Sequence, residues 1–170
     1  MNTTLITGAS SGIGEAFARK LAVQGRNVLL VARSEDRLIT LCNELGRINS
    51  IRAQYVALDL SLPESPARLF EEAQKRGLVI DLLINNAGFG AFGDFTTADL
   101  QRQLNMIDLN IKALVDLTYR FLVPMRERKH ERFGSGIGGH VRDRLKCCRR
   151  SKIDDGALLA LAHGNQEPVR

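Results

Sequence analysis

The chain has 170 residues, of which 44% are hydrophobic and 25% charged, and these proportions are ordinary for one soluble globular domain. We find no N-terminal signal peptide, in which basic residues precede an apolar segment. We also find no apolar run of the ~20 residues that a membrane-spanning helix needs. Its three cysteines include an adjacent pair, Cys147 and Cys148, which suits no disulfide framework. We therefore expect a cytoplasmic protein without a membrane partner.

The net charge of +5 comes from one end of the chain. Residues 1–125 contain 13 basic and 13 acidic side chains, whereas residues 126–170 contain 11 basic and 6 acidic ones. All three histidines also lie after residue 125. The two parts of the chain therefore differ in net charge and in histidine content.

Strand and helix patterns alternate along the first part, which is typical of a parallel sheet with crossover helices. We predict strands over residues 3–6, 27–31, 51–58 and 78–84, and helices over residues 12–24, 34–45 and 63–76. One long helix is predicted over residues 99–128, because apolar residues recur there at helical spacing. The residues at this spacing are Leu104, Ile107, Ile111, Leu114, Val115 and Leu122.

The regular pattern ends after this helix. Residues 131–139 contain four glycines and few residues suited to a buried strand, and residues 141–152 are dense in arginine and lysine. We therefore predict an α/β, Rossmann-like, doubly wound parallel sheet that is incomplete at about four strands. It occupies residues 1–130, and an irregular basic tail, which we expect to be solvated and disordered, occupies residues 131–170.

A glycine-rich loop joins the first strand to the first helix, and it reads Thr-Gly-Ala-Ser-Ser-Gly-Ile-Gly over residues 7–14. Gly8 permits a tight turn, Gly12 lets the backbone approach a ligand, and Gly14 lets the helix lie close to the sheet. Helix N–H groups that face such a loop can bind a pyrophosphate. The alternative is that these glycines only form a turn.

Three more motifs follow in register: Asp59 after the third strand, Asn-Asn-Ala-Gly at residues 85–88 after the fourth, and Asn110 inside the long helix. Together with the glycine loop they resemble the short-chain dehydrogenase/reductase family over residues 2–128. The resemblance implies that Asp59 binds the adenine amino group and that residues 85–88 steady the sheet and line the cofactor site. It also implies that Asn110 belongs to the catalytic tetrad, at a kink that binds a proton-relay water.

Each of these residues also has a structural interpretation. Asp59 could cap a helix or turn, Asn85 and Asn86 could form a turn, and the Asn110 side chain could bond a nearby carbonyl.

The predicted cofactor-binding set is Gly8, Ser10, Ser11, Gly12, Ile13, Gly14, Arg33, Asp59, Leu60, Asn86, Ala87 and Gly88. No metal site is predicted.

Arg33 follows the second strand, where the adenosine ribose of a dinucleotide would lie. A carboxylate there would accept a hydrogen bond from the 2′-hydroxyl of NAD, whereas a guanidinium favours a 2′-phosphate. No acidic residue stands at the end of this strand, so NADP(H) is favoured over NAD(H). The alternative is a solvated surface arginine.

The proton-transfer residues of the family have no clear counterpart in this sequence. The resemblance implies a tyrosine with a lysine four residues later, but neither Tyr55 nor Tyr119 has such a lysine. Ser135, Cys148 and Lys152 fall near the family's serine, tyrosine and lysine spacing, and a cysteine thiol can in principle move a proton. These three remain weak candidates, because the spacing can arise by chance.

The tail allows other interpretations. His140, Cys147, Cys148 and His163 could suggest zinc, but the sequence has no Cys-x₂-Cys pair. The basic residues could bind nucleic acid or anionic lipid non-specifically, but they lack interleaved aromatics, and no specific nucleic-acid partner is predicted. The abrupt change near His130 suggests a shifted reading frame or a truncation, which resequencing of the coding DNA would test.

The resemblance implies an NADP-dependent oxidoreductase that reduces a carbonyl or oxidises a secondary alcohol by hydride transfer. We expect this chain to be catalytically impaired, because Tyr-x-x-x-Lys is absent. The alternative is a non-catalytic, dinucleotide-binding or dimerising module derived from a truncated reductase. In the family the long helix helps to form a dimer interface, so we expect a homo-oligomer through residues 99–128. The substrate cannot be read from this sequence.

Overall fold

The computed structural model describes residues 2–48 and 50–133. Within them lies one parallel four-stranded sheet with the strand order β3-β2-β1-β4. The strands are β1 (Asn2–Thr7), β2 (Asn27–Ala32), β3 (Ala53–Ala57) and β4 (Val79–Ile84). The predicted Rossmann-like α/β sheet is confirmed.

Helices connect the strands and cover both faces of the sheet. They are α1 (Gly12–Val23), α2 (Glu35–Leu45), α3 (Ser65–Lys75), α4 (Leu100–Ile107) and α5 (Leu114–Phe133), with a π-helical segment (Asp108–Ala113) between α4 and α5. The ends of β1, β2, β4 and α1–α3 lie within two residues of the predicted ends. The strand β3 is shorter than predicted, by two residues at its start and one at its end.

Two apolar clusters lie on opposite faces of the sheet. One packs α1 and α2 through buried leucines that include Leu21, Leu38 and Leu45. The other packs α3 and α5 through Leu69, Leu117 and Phe121. The rings of Phe70 and Phe121 meet edge to face, with centroids 5.2 Å apart. Both faces of the sheet are therefore covered, as a doubly wound sheet requires.

The predicted single long helix is wrong in one respect, because its middle is a π-helix over Asp108–Ala113. A π-helical turn contains one extra residue and is found mostly where a function or a local contact requires it. Asn110 lies in this segment, and its side chain bonds the loop after β4. The spacing of apolar residues could not predict this extra residue, because one inserted residue displaces the following side chains by less than one helical turn.

The apolar residues that recur at helical spacing in this helix are mostly not the ones that pack on the sheet. The side chains that face the sheet are Ala113, Leu117, Phe121 and Met125. Leu104, Ile107, Ile111 and Val115, which recur at helical spacing in the sequence, are exposed. The helix carries two apolar stripes, and helical spacing cannot tell which one packs on the sheet.

The outer edge of β4 bears a charged contact. Within the described residues β4 pairs with β1 alone. Arg128, near the end of α5, donates from Nη2 to the carbonyl oxygen of Ile80 at 2.5 Å. Across residues 2–48 and 50–133, every helix is too short or too polar to span a lipid bilayer.

Candidate functional site

The loops after β1 and β4 lie side by side at the carboxyl edge of the sheet. The chain runs from β1 outward to β2 and β3 and then returns to β4 on the other side of β1. Such a change of direction leaves a crevice between the two loops, and open α/β sheets bind their ligands in this crevice. The glycine loop follows β1, and the sequence Asn85-Asn86-Ala87-Gly88 follows β4.

The glycines of the loop after β1 are needed for its shape. Gly8 and Gly12 have φ angles of 65° and 56°, in the left-handed region that glycine adopts most readily. A Cβ on Gly14 would lie 2.3 Å from the carbonyl oxygen of Gly8 and 2.5 Å from Nδ2 of Asn86. Gly14 therefore lets the first turn of α1 pack directly on the two loops, as predicted.

A hydrogen-bond network joins the two loops. Oγ1 of Thr7 accepts from the backbone N–H groups of Asn86 and Ala87, each at 2.9 Å. Nδ2 of Asn86 donates to the carbonyl oxygens of Thr7 at 3.1 Å and Gly8 at 3.2 Å. These bonds fix the distance between the loops. Thr7 is not among the predicted site residues, although a hydroxyl at the end of a strand beside a glycine loop was a usable signal.

The N-terminus of α1 opens into the crevice without a side-chain cap. Ser11 stands at the N-cap position, and its hydroxyl makes no capping hydrogen bond. The first N–H groups of a helix have no partner within the helix and carry partial positive charge. An anion placed here would accept hydrogen bonds from them. The turn therefore has the shape and the donors that a pyrophosphate needs.

Arg33 and Asp59 meet at the ends of β2 and β3. Nη1 of Arg33 lies 4.0 Å from Oδ2 of Asp59, and the Arg33 side chain is 76% exposed. Oδ1 of Asp59 accepts from the backbone N–H of Ser61 at 2.9 Å and from its hydroxyl at 2.7 Å. Asp59 therefore shapes its own turn, and it leaves one oxygen beside the exposed guanidinium.

Asn110 clamps the loop after β4. Its Oδ1 accepts from the backbone N–H of Phe89 at 3.2 Å, and its Nδ2 donates to the Phe89 carbonyl at 2.9 Å. The Asn110 side chain thus bonds a backbone carbonyl, as its structural interpretation predicted. That carbonyl lies in the loop after β4 and not in the same helix. Asn85 donates to Oγ1 of Thr118 at 3.0 Å and so ties α5 to the end of β4.

The remaining predicted site residues fall into four groups. Ser10, Ser11 and Ile13 lie in or next to the glycine loop, whereas the Leu60 side chain is buried in the cluster beneath α3 and α5. Gly88 packs against Asn110, since a Cβ on it would lie 3.0 Å from Oδ1. Ser135, Cys148 and Lys152 lie outside the described residues. The described part of the chain contains no group of three His, Cys, Asp or Glu side chains that could hold a metal.

The family model described as "short chain dehydrogenase" matches residues 2–133. The chain belongs to the short-chain dehydrogenase family. The match includes the glycine loop, Asp59, the loop after β4 and Asn110. It ends within α5.

Similar proteins include reductases and dehydrogenases. Sulfoacetaldehyde reductase 2 of Chromohalobacter salexigens is 36% identical over 124 residues, which are 72% of this chain and 48% of that protein. The alcohol dehydrogenase of Thermococcus sibiricus, solved with 5-hydroxy-NADP, has a TM-score of 0.70 at 34% identity, covering 75% of this chain and 54% of that one. L-sorbose reductase of Gluconobacter frateurii, solved with NADPH and L-sorbose, has a TM-score of 0.69 at 33% identity, covering 74% and 48%. This chain therefore spans about half the length of the relatives that it matches.

Proposed function

We propose that this chain binds NADP(H) in the crevice between the loops after β1 and β4. The observation that carries the proposal is the uncapped N-terminus of α1, which Gly14 seats against Gly8 and Asn86. A helix N-terminus in a glycine loop at this point of the sheet fits a dinucleotide pyrophosphate. Solved relatives that hold 5-hydroxy-NADP and NADPH support the choice of coenzyme.

Different residues of this chain bind different parts of the coenzyme. The amides of the first turn of α1 hold the pyrophosphate, and Arg33 offers a guanidinium to the 2′-phosphate. Asp59 accepts from the adenine amino group, and Asn86, Ala87 and Gly88 line the wall made by the loop after β4. Asn110 holds that wall in place through Phe89. NADP(H), when bound, supplies or accepts a hydride.

We infer that the reaction of this lineage is the interconversion of a carbonyl and a secondary alcohol, and that this chain is impaired in it. The 170 residues contain no Tyr-x-x-x-Lys to move the proton. A thiol at Cys148, with Ser135 and Lys152, is the weak candidate for a substitute. We therefore expect coenzyme binding without turnover.

Titration calorimetry and a turnover assay on the purified chain test this proposal. NADPH should bind saturably at one site per chain, and NADPH oxidation should be absent with a panel of ketones. A folded chain that binds neither NADPH nor NADH would contradict the binding site. Turnover that is lost in Cys148→Ala and kept in Cys147→Ala would contradict the inferred impairment and assign the proton to Cys148.

A second candidate function is that of a dimerising module, and a specific surface favours it. Seven large side chains along α4, the π-helical segment and α5 are between 41% and 72% exposed. They are Leu100, Leu104, Ile107, Ile111, Val115, Tyr119 and Val123, and we call them the apolar stripe. Contiguous exposed apolar surface commonly marks a protein interface. We propose that a second copy of this chain, or a full-length relative, covers it.

A further inference from the structure

The outer edge of β3 lies at the floor of a groove between α2 and α3. The groove has a volume of about 920 Å³, and all the residues of β3 line it. An extended strand of five residues is ~17 Å long, and at strand and sheet spacings of ~4.8 Å and ~10 Å it fills about 800 Å³. The groove therefore has room for one more strand beside β3.

Three residues of β3 turn their backbone N–H and C=O groups towards this groove. The Val28 N–H donates to the Arg52 carbonyl at 3.0 Å, and the Leu58 N–H donates to the Ala32 carbonyl at 2.9 Å. Arg52 and Leu58 therefore face β2, and in a parallel pair every second residue does so. The residues between them that face away from β2 are Ala53, Tyr55 and Ala57.

The strand itself lacks the features that commonly stop two sheets from joining. Proteins protect an outer strand with charged side chains, proline or a bulge. The sequence of β3 is Ala-Gln-Tyr-Val-Ala, and its register with β2 is regular. Its outward residues are symmetric about Tyr55, with an alanine on either side. The edge is thus suited to pair antiparallel with a second copy of itself, with Tyr55 opposite Tyr55 and Ala53 opposite Ala57.

The charges of the groove favour an uncharged occupant. Its lining contains three carboxylates and three basic side chains, which are Glu35, Glu71 and Glu72, and Arg68, Lys75 and Arg76. Because these charges balance, the groove neither attracts a strongly charged segment nor repels an uncharged one. The uncharged β3 of a second copy therefore suits the groove better than a charged peptide does.

Arg76, at the end of α3, occupies the centre of this edge. Its Nη1 donates to the Tyr55 carbonyl oxygen at 3.0 Å and to Oε1 of Gln54 at 3.4 Å. Its Nε donates to Oε1 of Glu72 at 2.8 Å, and its Nη2 lies 2.8 Å from the same oxygen. Glu72 therefore holds the guanidinium at the Tyr55 carbonyl, which is the central acceptor of the antiparallel pair.

We propose that Arg76 prevents a second copy of this chain from adding its β3, antiparallel, to the outer edge of the sheet. An incoming strand must displace the guanidinium from the Tyr55 carbonyl before the central hydrogen bonds of the pair form. The amide N–H of that strand is a weaker donor than the charged group that it would replace. This role concerns self-association at β3 and is independent of the proposed coenzyme site.

Sedimentation velocity of Arg76→Met tests this role, with a reducing agent present to exclude disulfide-linked dimers. Each variant is made in the Ile111→Lys chain, so that the apolar stripe does not add to the association. Arg76→Met frees the Tyr55 carbonyl, and we expect it to sediment at twice the mass of the parent chain. Hydrogen exchange at the Tyr55 amide should slow, because this N–H becomes bonded in the pair. Arg68→Met is the matched control, since Arg68 is an exposed arginine of α3 in the same groove, and it should leave the mass unchanged.

Two further variants separate this role from other effects. Ala57→Pro removes an outward N–H and leaves the ladder to β2 intact, so adding it to Arg76→Met should restore the mass of the parent chain. Glu72→Gln releases Arg76 from Glu72 and makes the chain more positive, whereas Arg76→Met makes it more negative. We expect Glu72→Gln to associate as well, to a smaller extent, which excludes net charge as the cause.

Three results would overturn the proposal. The first is equal association of Arg76→Met and Arg68→Met, or association of neither. The second is a dimer of Arg76→Met that persists when Ala57→Pro is added, because the contact then lies elsewhere than at β3. Thermal unfolding shows whether each variant is folded. If Arg76→Met unfolds below the temperature of the parent chain, Glu72→Gln decides, and a folded Glu72→Gln chain that does not associate is the third contradicting result.

Discussion

Gly14 is the residue whose substitution the site tolerates least. A methyl group there would lie 2.3 Å from the Gly8 carbonyl oxygen, which is backbone and cannot turn away. We expect Gly14→Ala to lower the free energy of unfolding by about 2 kcal/mol, as overpacked sites do, and to weaken NADPH binding at least tenfold. Chemical denaturation and calorimetry measure the two effects.

Gly90 provides the matched control for that substitution. It lies in the loop after β4, and a Cβ on it would meet nothing within 4 Å. Gly90→Ala should change stability by less than about 0.5 kcal/mol. Equal effects of the two substitutions would show that the close packing at Gly14 does not matter.

Asn110 acts on the site through the backbone of Phe89. Asn110→Ala removes both of its hydrogen bonds to Phe89. We expect a loss of about 1–2 kcal/mol of stability and faster hydrogen exchange at the Phe89 amide. Asn105→Ala is the control, because within the described residues the Asn105 side chain bonds Gln101 of the same helix and no other element. Unchanged hydrogen exchange at the Phe89 amide in Asn110→Ala would show that these two hydrogen bonds do not hold the loop after β4.

Among the elements, the exposed apolar stripe leads us to expect self-association of the chain. Ile111→Lys should turn a dimer or larger assembly into an 18.8 kDa monomer, because it places a charge in the middle of the stripe. Val23→Lys is the control, since Val23 is an exposed apolar residue on α1. Sedimentation velocity separates the species. An unaltered chain that is monomeric at high concentration contradicts the dimer.

Sequence patterns predicted the elements whose position depends on local chemistry. The four strands are short apolar runs bounded by turns, and Gly25 and Gly46 follow the ends of α1 and α2. The glycine loop could be predicted for the same reason, because only glycine fits the turn at Gly8. Patterns could not show which stripe of the long helix faces the sheet. They also could not show that Asn110 reaches Phe89, since both depend on packing between distant segments.

At the scale of the whole molecule, Cys42 links stability to pH. Burial raises the pKa of its thiol to about 11, whereas a thiol in an unfolded chain ionises near pH 8.5. The folded state therefore holds this proton more tightly, and the resulting stability is complete below about pH 8.5. It is lost as the pH rises towards 11. Because Cys42 is half-buried, we expect a loss of about 1 kcal/mol.

The comparison of the unaltered chain with Cys42→Ala measures what Cys42 contributes to this pH dependence. Tyr55 lines the same groove at the edge of β3 as Cys42, and its own raised pKa, caused by desolvation and then by Glu35, also changes stability at high pH. Because the Cys42 thiolate also raises the Tyr55 pKa, the difference between the two proteins contains the ionisation of Cys42 together with this effect on Tyr55. Free energies of unfolding measured from pH 8 to 11 should fall more steeply with Cys42 present. Parallel curves would show that its ionisation is not linked to folding.

Coenzyme binding by this chain depends on one contact, that of the coenzyme pyrophosphate with the amides at the start of α1. Amide chemical shifts recorded during an NADPH titration test it most directly. We expect the largest changes at Gly12, Ile13 and Gly14, with smaller ones at Arg33 and Ala87. NADPH binding that leaves the amides of residues 8–14 unchanged would contradict it.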